Sequence, residues 1–549
     1  MNVFQQKVNS CTLKIALSSS LSWRAIQTHR ANRLFVQCSS RPILPSQPDV
    51  KTFLKQPAFT FLSYRSKSEM ESFITDKAYI NGKWESVADS FEVLNPYNGE
   101  VVGRAADCDK ALAEATVKHA HVAFQSWKNT CAKARSSILK KWFELILKNQ
   151  KSLAELITKE NGKPIKESIG EVAYAASFVE WLAEEAKRNY GTTIPTPHPN
   201  KRLMSIKQPI GVAGMITPWN FPAGMITRKA CAAIAAGCTV VLKPAEDTPF
   251  SALAIAKLGE EAGLPAGVLN IIPSSREHAP EIGNVICTHP DVAAVSFTGS
   301  TATGKILLGL AASTVKKVSM ELGGLAPFIV FDSADMNKVI PNAIACKFRY
   351  MGQTCVCANR IFVQESVHDE FVSKLVAAMK KELILGDTLD PANSFGPLIN
   401  EKALEKVESQ VEDAIKNGAT VVCGGKRGSL GGTFYEPTLI TGVTPAMKCC
   451  NEETFGPIAA IIKFKTEDEV IALANDSRVG LAGYFFSNDV AQCWRVAEKL
   501  EVGMVGINEG LMSTAEAPFG GVKESGLGRE GSQFALDEFT EMKYMCWGV

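Results

Sequence analysis

Five short runs rich in β-branched residues, at 211–217, 239–242, 269–272, 293–297 and 315–319, alternate with helical segments such as 249–261. Each run has strand length and each interval is long enough for a crossover, so these strands can pair in parallel only through right-handed βαβ units. The spacing predicts an α/β protein with a parallel sheet of nucleotide-binding outline. Pro249 stands where a helix starts well, and Thr248 is placed to cap it.

Upstream, Ile138, Trp142, Leu145, Ile146, Leu153, Leu156 and Ile157 recur at helical spacing across 133–160, with Asn161-Gly162 as a stop and a second helical run at 165–188. The stretch 190–209 carries four prolines and few helix formers, which predicts an extended arm. Helices at 365–383 and 402–416 mix with strands at 459–464, 483–486 and 504–507, so 321–523 reads as a second α/β domain. Beyond it, 539–547 returns to extended, aromatic character. The expected division is thus 69–189 with 210–320, then 321–523, with 190–209 and 524–549 as arm and tail.

The first 68 residues hold ten Lys or Arg against the single acid Asp49, with many Ser and no continuous apolar run, which predicts an organelle transit peptide. Mitochondrion and plastid are both open on this composition. Without that segment the counts become 49 basic and 56 acidic residues, a net charge of about −7, which gives no reason to expect nucleic acid or membrane lipid as partners. The stretch 230–242 is too short to span a bilayer. The fifteen cysteines include no Cys-x-x-Cys pair and no His-rich spacing, so neither a metal site nor a disulfide framework is expected.

Chemistry concentrates on Cys355, in Phe348-Arg-Tyr-Met-Gly-Gln-Thr-Cys355, and on Glu321, in Met320-Glu-Leu-Gly-Gly324. A thiol attacks an aldehyde carbon readily and a carboxylate can activate water, so the two suit oxidation through a covalent thioester. A single cysteine is more often a small buried hydrophobe, and the loop Gly299-Ser-Thr-Ala-Thr-Gly304 at a strand-to-helix junction is alone only a tight turn with donors for a phosphate. Together with Pro218-Trp-Asn-Phe-Pro222, Lys243-Pro-Ala-Glu246, Phe297-Thr-Gly-Ser300 and Glu452-Glu-Thr-Phe-Gly-Pro457, in this order, they resemble the aldehyde dehydrogenase superfamily from about residue 70 to the end.

That resemblance implies a Rossmann-like parallel-sheet NAD domain, a second α/β catalytic domain, and an extended β oligomerisation arm in a homotetramer. It implies catalysis by Cys355, Glu321 and Asn220, the last donating its amide to the oxyanion. It places Trp219, Lys243, Glu246, Gly299, Ser300, Thr301, Gly304, Glu453 and Phe455 around NAD. A carboxylate at 246 accepts hydrogen bonds from a free ribose diol and repels a 2′-phosphate, which favours NAD over NADP. Arg228, Arg349 and Ser513 match the positions at which the succinate-semialdehyde branch grips the far carboxylate, so the expected substrate is an anionic aldehyde. The expected reaction is oxidation of succinate semialdehyde to succinate in 4-aminobutyrate degradation, in the mitochondrial matrix or, alternatively, a plastid. Glutarate and methylmalonate semialdehydes are the alternative substrates. Cys357 is read as a packed neighbour, or as the partner of Cys355 in a strained, easily reduced disulfide that switches the enzyme off.

Overall fold

The computed structural model describes residues 69–549, so the transit-peptide expectation for 1–68 lies outside the described residues. The five predicted strands form at Val212–Ile216, Thr239–Lys243, Leu269–Ile271, Val292–Thr298 and Lys317–Glu321. They pair in parallel with Val212–Ile216 at the centre, flanked on one side by Thr239–Lys243 and Leu269–Ile271 and on the other by Val292–Thr298 and Lys317–Glu321. Successive crossovers therefore leave Val212–Ile216 first toward one edge and then toward the other. The crevice beyond the carboxyl ends of Val212–Ile216 and Val292–Thr298 is the switch point where open α/β sheets bind ligands. Antiparallel strands extend both edges: the hairpin Lys77–Ile80 with Lys83–Ser86, and Gly526–Leu527 against Lys317–Glu321.

The helical run predicted across 133–160 divides into Ala132–Lys148 and Gln150–Asn161. At the joint, the side-chain amide of Asn149 donates to the Leu145 carbonyl at 2.8 Å and satisfies the first helix's end. Thr248 does not cap the helix Pro249–Ala262, and its hydroxyl has no partner. Glu160 takes that role from the end of the helix Gln150–Asn161. It accepts from the backbone N–H groups of Phe250 and Ser251, at 2.9 and 2.8 Å, and from the Ser251 hydroxyl. A carboxylate at a helix N-terminus satisfies orphan donors and meets the positive end of the dipole, so a local cap is redundant.

The second sheet has seven strands in the order Thr420–Cys423, Thr438–Thr441, Ile458–Phe464, Arg360–Gln364, Pro327–Val330, Ala482–Phe486 and Met504–Ile507. All its pairings are parallel except that of the first edge strand. Its central strands are buried except at Gln364 and Lys463, as expected where helices cover both faces. A third, three-stranded sheet joins Thr540–Gly548 to Lys201–Pro209 over nine antiparallel residue pairs, with Thr192–Ile194 beyond. Met542, Tyr544 and Trp547 stand exposed on it. Among the described residues no helix is long and apolar enough to cross a membrane, and no cluster of His, Cys, Asp and Glu is placed to hold a metal ion.

Candidate active site

Cys355 stands in the connection between the helix Met336–Phe348 and the strand Arg360–Gln364. Two cavities meet there, and Cys355 is the one residue that lines both. The approach to it is held in an uncommon conformation: Tyr350 and Met351 adopt φ of 46° and 51°, in the left-handed region that side chains other than glycine rarely occupy. Such backbone costs of order 1–3 kcal/mol per residue and persists only where surroundings impose it. Here Glu167 accepts from the Tyr350 N–H at 2.8 Å, and the Tyr350 hydroxyl donates to the Asn161 carbonyl at 3.0 Å. The surrounding protein pushes the Cys355 thiol up to about 12, an effect that Arg228 opposes.

The first cavity is lined by Trp219, Asn220, Gly299, Ser300, Glu321, Glu453 and Phe455, gathered from the carboxyl edge of the first sheet and from the second domain. Ser300 caps the helix Thr301–Ala311 by accepting from the Thr303 N–H at 3.2 Å, so that helix turns its N-terminus toward the cavity. Gly304 is not a wall of this cavity. It packs on Leu322, where a Cβ would collide with that side chain, so its absence of a side chain serves helix-to-strand packing. Trp219 and Phe455 meet edge to face at 5.5 Å, and Phe455 holds φ of 51°.

Two carboxylates in this cavity lack adequate partners. Glu321 is 2% exposed, and neither oxygen has a hydrogen bond. Burial, reinforced by Glu530, lifts its acid well above the carboxylate range. Glu453 is pushed to about 7 by burial, against Lys406 and the N–H of Gly324, which donates to it at 3.3 Å. One amide N–H of Asn220 donates to the Gln353 carbonyl at 3.1 Å, leaving the other for a ligand.

The second cavity is lined by Lys163, Glu167, Glu171, Tyr174, Arg228, Arg349, Ser513 and Phe519, among others. The three residues expected to grip an anion are therefore brought together. Arg228 is fully buried, ion-paired through Nε with Glu530, within 3.5 Å of the Tyr174 hydroxyl, and stacked on Phe519 at 4.1 Å. The Tyr174 hydroxyl in turn donates to Ser513 Oγ at 3.3 Å. Arg349 faces Phe221 at 5.4 Å and has no ion pair or hydrogen bond among the described residues. Cys357 is buried, and its thiol lies 3.2 Å from the Lys347 carbonyl and 3.4 Å from Lys347 Nζ.

Lys243 and Glu246 line neither Cys355 cavity. They sit 3.7 Å apart at the end of the Thr239–Lys243 strand, and Glu246 lines a third cavity with Asp247, Ser275 and Arg276. Thr301 lines a fourth, with Gly323 and Glu453. Sequence reasoning missed Lys163, Glu171, Tyr174 and Glu530. Glu530 contacts Arg228 and Lys229 across some 300 residues of chain, and nothing local marks it.

A Rossmann-type sheet and a second α/β domain meeting at a cysteine are the aldehyde dehydrogenase fold; the model of the aldehyde dehydrogenase family matches residues 84–545, and the chain belongs to that family. It is 58% identical over 471 residues to the mitochondrial succinate-semialdehyde dehydrogenase of Homo sapiens, covering 86% of this chain and 88% of the relative. It is 52% identical over 475 residues to the NADP(+) succinate-semialdehyde dehydrogenase of Escherichia coli, covering 86% and 98%. The crystal structure of succinate-semialdehyde dehydrogenase from Burkholderia pseudomallei superimposes with a TM-score of 0.85 at 51% identity, covering 87% of this chain and 99% of that one.

The family uses a nicotinamide cofactor, and the first cavity fits one. A Cβ on Gly323 would stand 2.7 Å from the Glu453 carboxylate, so glycine there leaves that carboxylate room in the cradle. The unpartnered oxygens of Glu321 and the buried, unpartnered Thr298 hydroxyl also border it.

Proposed function

We propose that the protein oxidises succinate semialdehyde to succinate with NAD in the mitochondrial matrix. The observation that carries this reading is the position of Cys355 between a cavity fit for a nicotinamide and a cavity whose cations include the unpaired Arg349. The mitochondrial relatives and the acid-poor segment 1–68 support the compartment. The carboxylate of Glu246 supports NAD. The exposed aromatic strand Thr540–Gly548 supports assembly through that sheet, as a homotetramer.

In this reading Arg349, Arg228 and Ser513 hold the far carboxylate and deliver the aldehyde carbon to the Cys355 sulfur. The thiol gives up its proton to solvent water, and sulfur adds to the carbonyl carbon. The free N–H of the Asn220 amide and the backbone N–H of Cys355 take the oxyanion that forms. The bound nicotinamide supplies the two-electron acceptor. The acyl group that results is a thioester on Cys355. Glu321, in its ionised form, takes a proton from water as that water attacks the acyl carbon, and the sulfur leaves. Steady-state kinetics test the reading. Succinate semialdehyde should exceed butanal in kcat/KM by at least about 100-fold, as two charge-assisted contacts imply. Equal values would refute it.

A further inference from the structure

Asn220 lies on a loop, and a loop cannot by itself hold an amide to the few tenths of an ångström that an oxyanion donor needs. What holds it is buried beneath. Lys163, in the Asn161-Gly162-Lys163 turn, is 1% exposed. Its Nζ donates to the Asn220 carbonyl at 2.8 Å and is ion-paired with Glu171, 2% exposed, on the helix Ile165–Glu185. The same ammonium stands 3.8 Å from the centre of the Phe221 ring and 4.4 Å from that of Tyr350. The other oxygen of Glu171 accepts from the Ala223 N–H at 2.9 Å and the Gly224 N–H at 3.4 Å, at the start of the helix Gly224–Ala236 that carries Arg228. Two residues before Lys163, the Asn161 amide donates to the Trp219 carbonyl at 2.6 Å.

We propose that Lys163 and Glu171 form a positioning pair that sets the Asn220 amide for the oxyanion, through the backbone of the 219–224 loop. The inference rests on the reading above, in which Asn220 is the oxyanion donor. An ammonium in this place is otherwise hard to account for. Burying it works against its charge, and packing alone would be better served by an apolar side chain of the same length. Lys163 stands in the wall of the second cavity, but its Nζ is committed to Glu171 and to the Asn220 carbonyl, so its effect passes through Asn220 and not through the substrate's far carboxylate.

Kinetics on the full-length enzyme test the pair by a double-mutant cycle. Asn220→Ala, Lys163→Met and the double variant are compared for kcat and KM with succinate semialdehyde and with butanal. The expected result is a fall in kcat of about 10- to 100-fold for Lys163→Met, similar for both aldehydes and with little change in KM, because one donor is displaced but not removed. The double variant should then be no slower than Asn220→Ala alone. Losses that multiply, a loss confined to the anionic aldehyde, or an unchanged kcat in Lys163→Met would each overturn the proposal. If Lys163→Met does not fold, Glu171→Gln, which loosens the ammonium yet keeps an acceptor for Ala223, enters the same cycle with the same criteria. A neutral Asn220→Ala would instead remove the reading of Asn220 as oxyanion donor, a result distinct from multiplying losses.

Discussion

The two cavities that share Cys355 solve the problem of buried charge in opposite ways. On the side of Arg228, charges are already matched: Lys163 with Glu171, and Arg228 and Lys229 with Glu530. On the side of Glu453 they are not, and the buried Glu321 and the half-buried Glu453 are carboxylates whose acids are lifted by desolvation. A prepaired charge is rigid and keeps its protonation state, whereas an unpaired one is ready to exchange a proton or to meet a ligand. The contrast assigns geometry to one cavity and proton transfer to the other. The exceptions in the second cavity are Glu167, which has no ion pair among the described residues, and Arg349, which is left free for an incoming anion.

The contrast breaks most visibly at Glu321. Glu321→Gln is expected to lower turnover by about 100- to 10,000-fold while acylation of Cys355 survives, so that acyl-enzyme accumulates. In the native enzyme, a base whose acid lies above the ordinary carboxylate range is protonated at low pH and gains activity as pH rises through the raised value. Rapid-quench measurements across pH check the sign: the deacylation rate should climb with pH in the native protein and lose that limb in the variant. A flat native profile would place the base elsewhere.

Arg349→Met addresses the other cavity with a smaller effect. It should cut kcat/KM for succinate semialdehyde by about 10- to 100-fold and leave butanal nearly unchanged, the difference being one charge-assisted hydrogen-bonded contact. The smallest expected change follows Glu246→Ser, which lies in neither Cys355 cavity. Its ratio of NADP- to NAD-dependent kcat/KM should rise about tenfold, because a repulsion near solvent is worth about 1–2 kcal/mol. An unchanged ratio would free Glu246 of any part in cofactor choice.

Much of this arrangement was legible in the chain because the signals are local. The five parallel strands of the first sheet follow from β-branched runs, and Cys355, Glu321 and Asn220 each sit in a motif beside a strand or helix end. What escaped notice is long-range. Thr248 has the chemistry of a cap, yet Glu160 reaches the same N–H groups from another helix. The break at Asn149 is masked by apolar spacing that continues on both sides of it. Gly304 belongs to a phosphate-type loop by spacing, while its neighbour Leu322 gives it a packing role. Glu530 and the Lys163–Glu171 pair are ordinary charged residues in sequence, and only the fold brings them under Arg228 and Asn220.

The central claim is that the thiol facing both cavities carries the acyl group, and it is tested most directly by stopping Glu321→Gln during turnover of succinate semialdehyde with NAD and mapping the modified peptide by mass spectrometry. The account predicts a succinyl group on Cys355 that decays slowly, with Cys357 unmodified. Reduced cofactor produced in step with an unmodified Cys355, or an adduct on any other side chain, would contradict it.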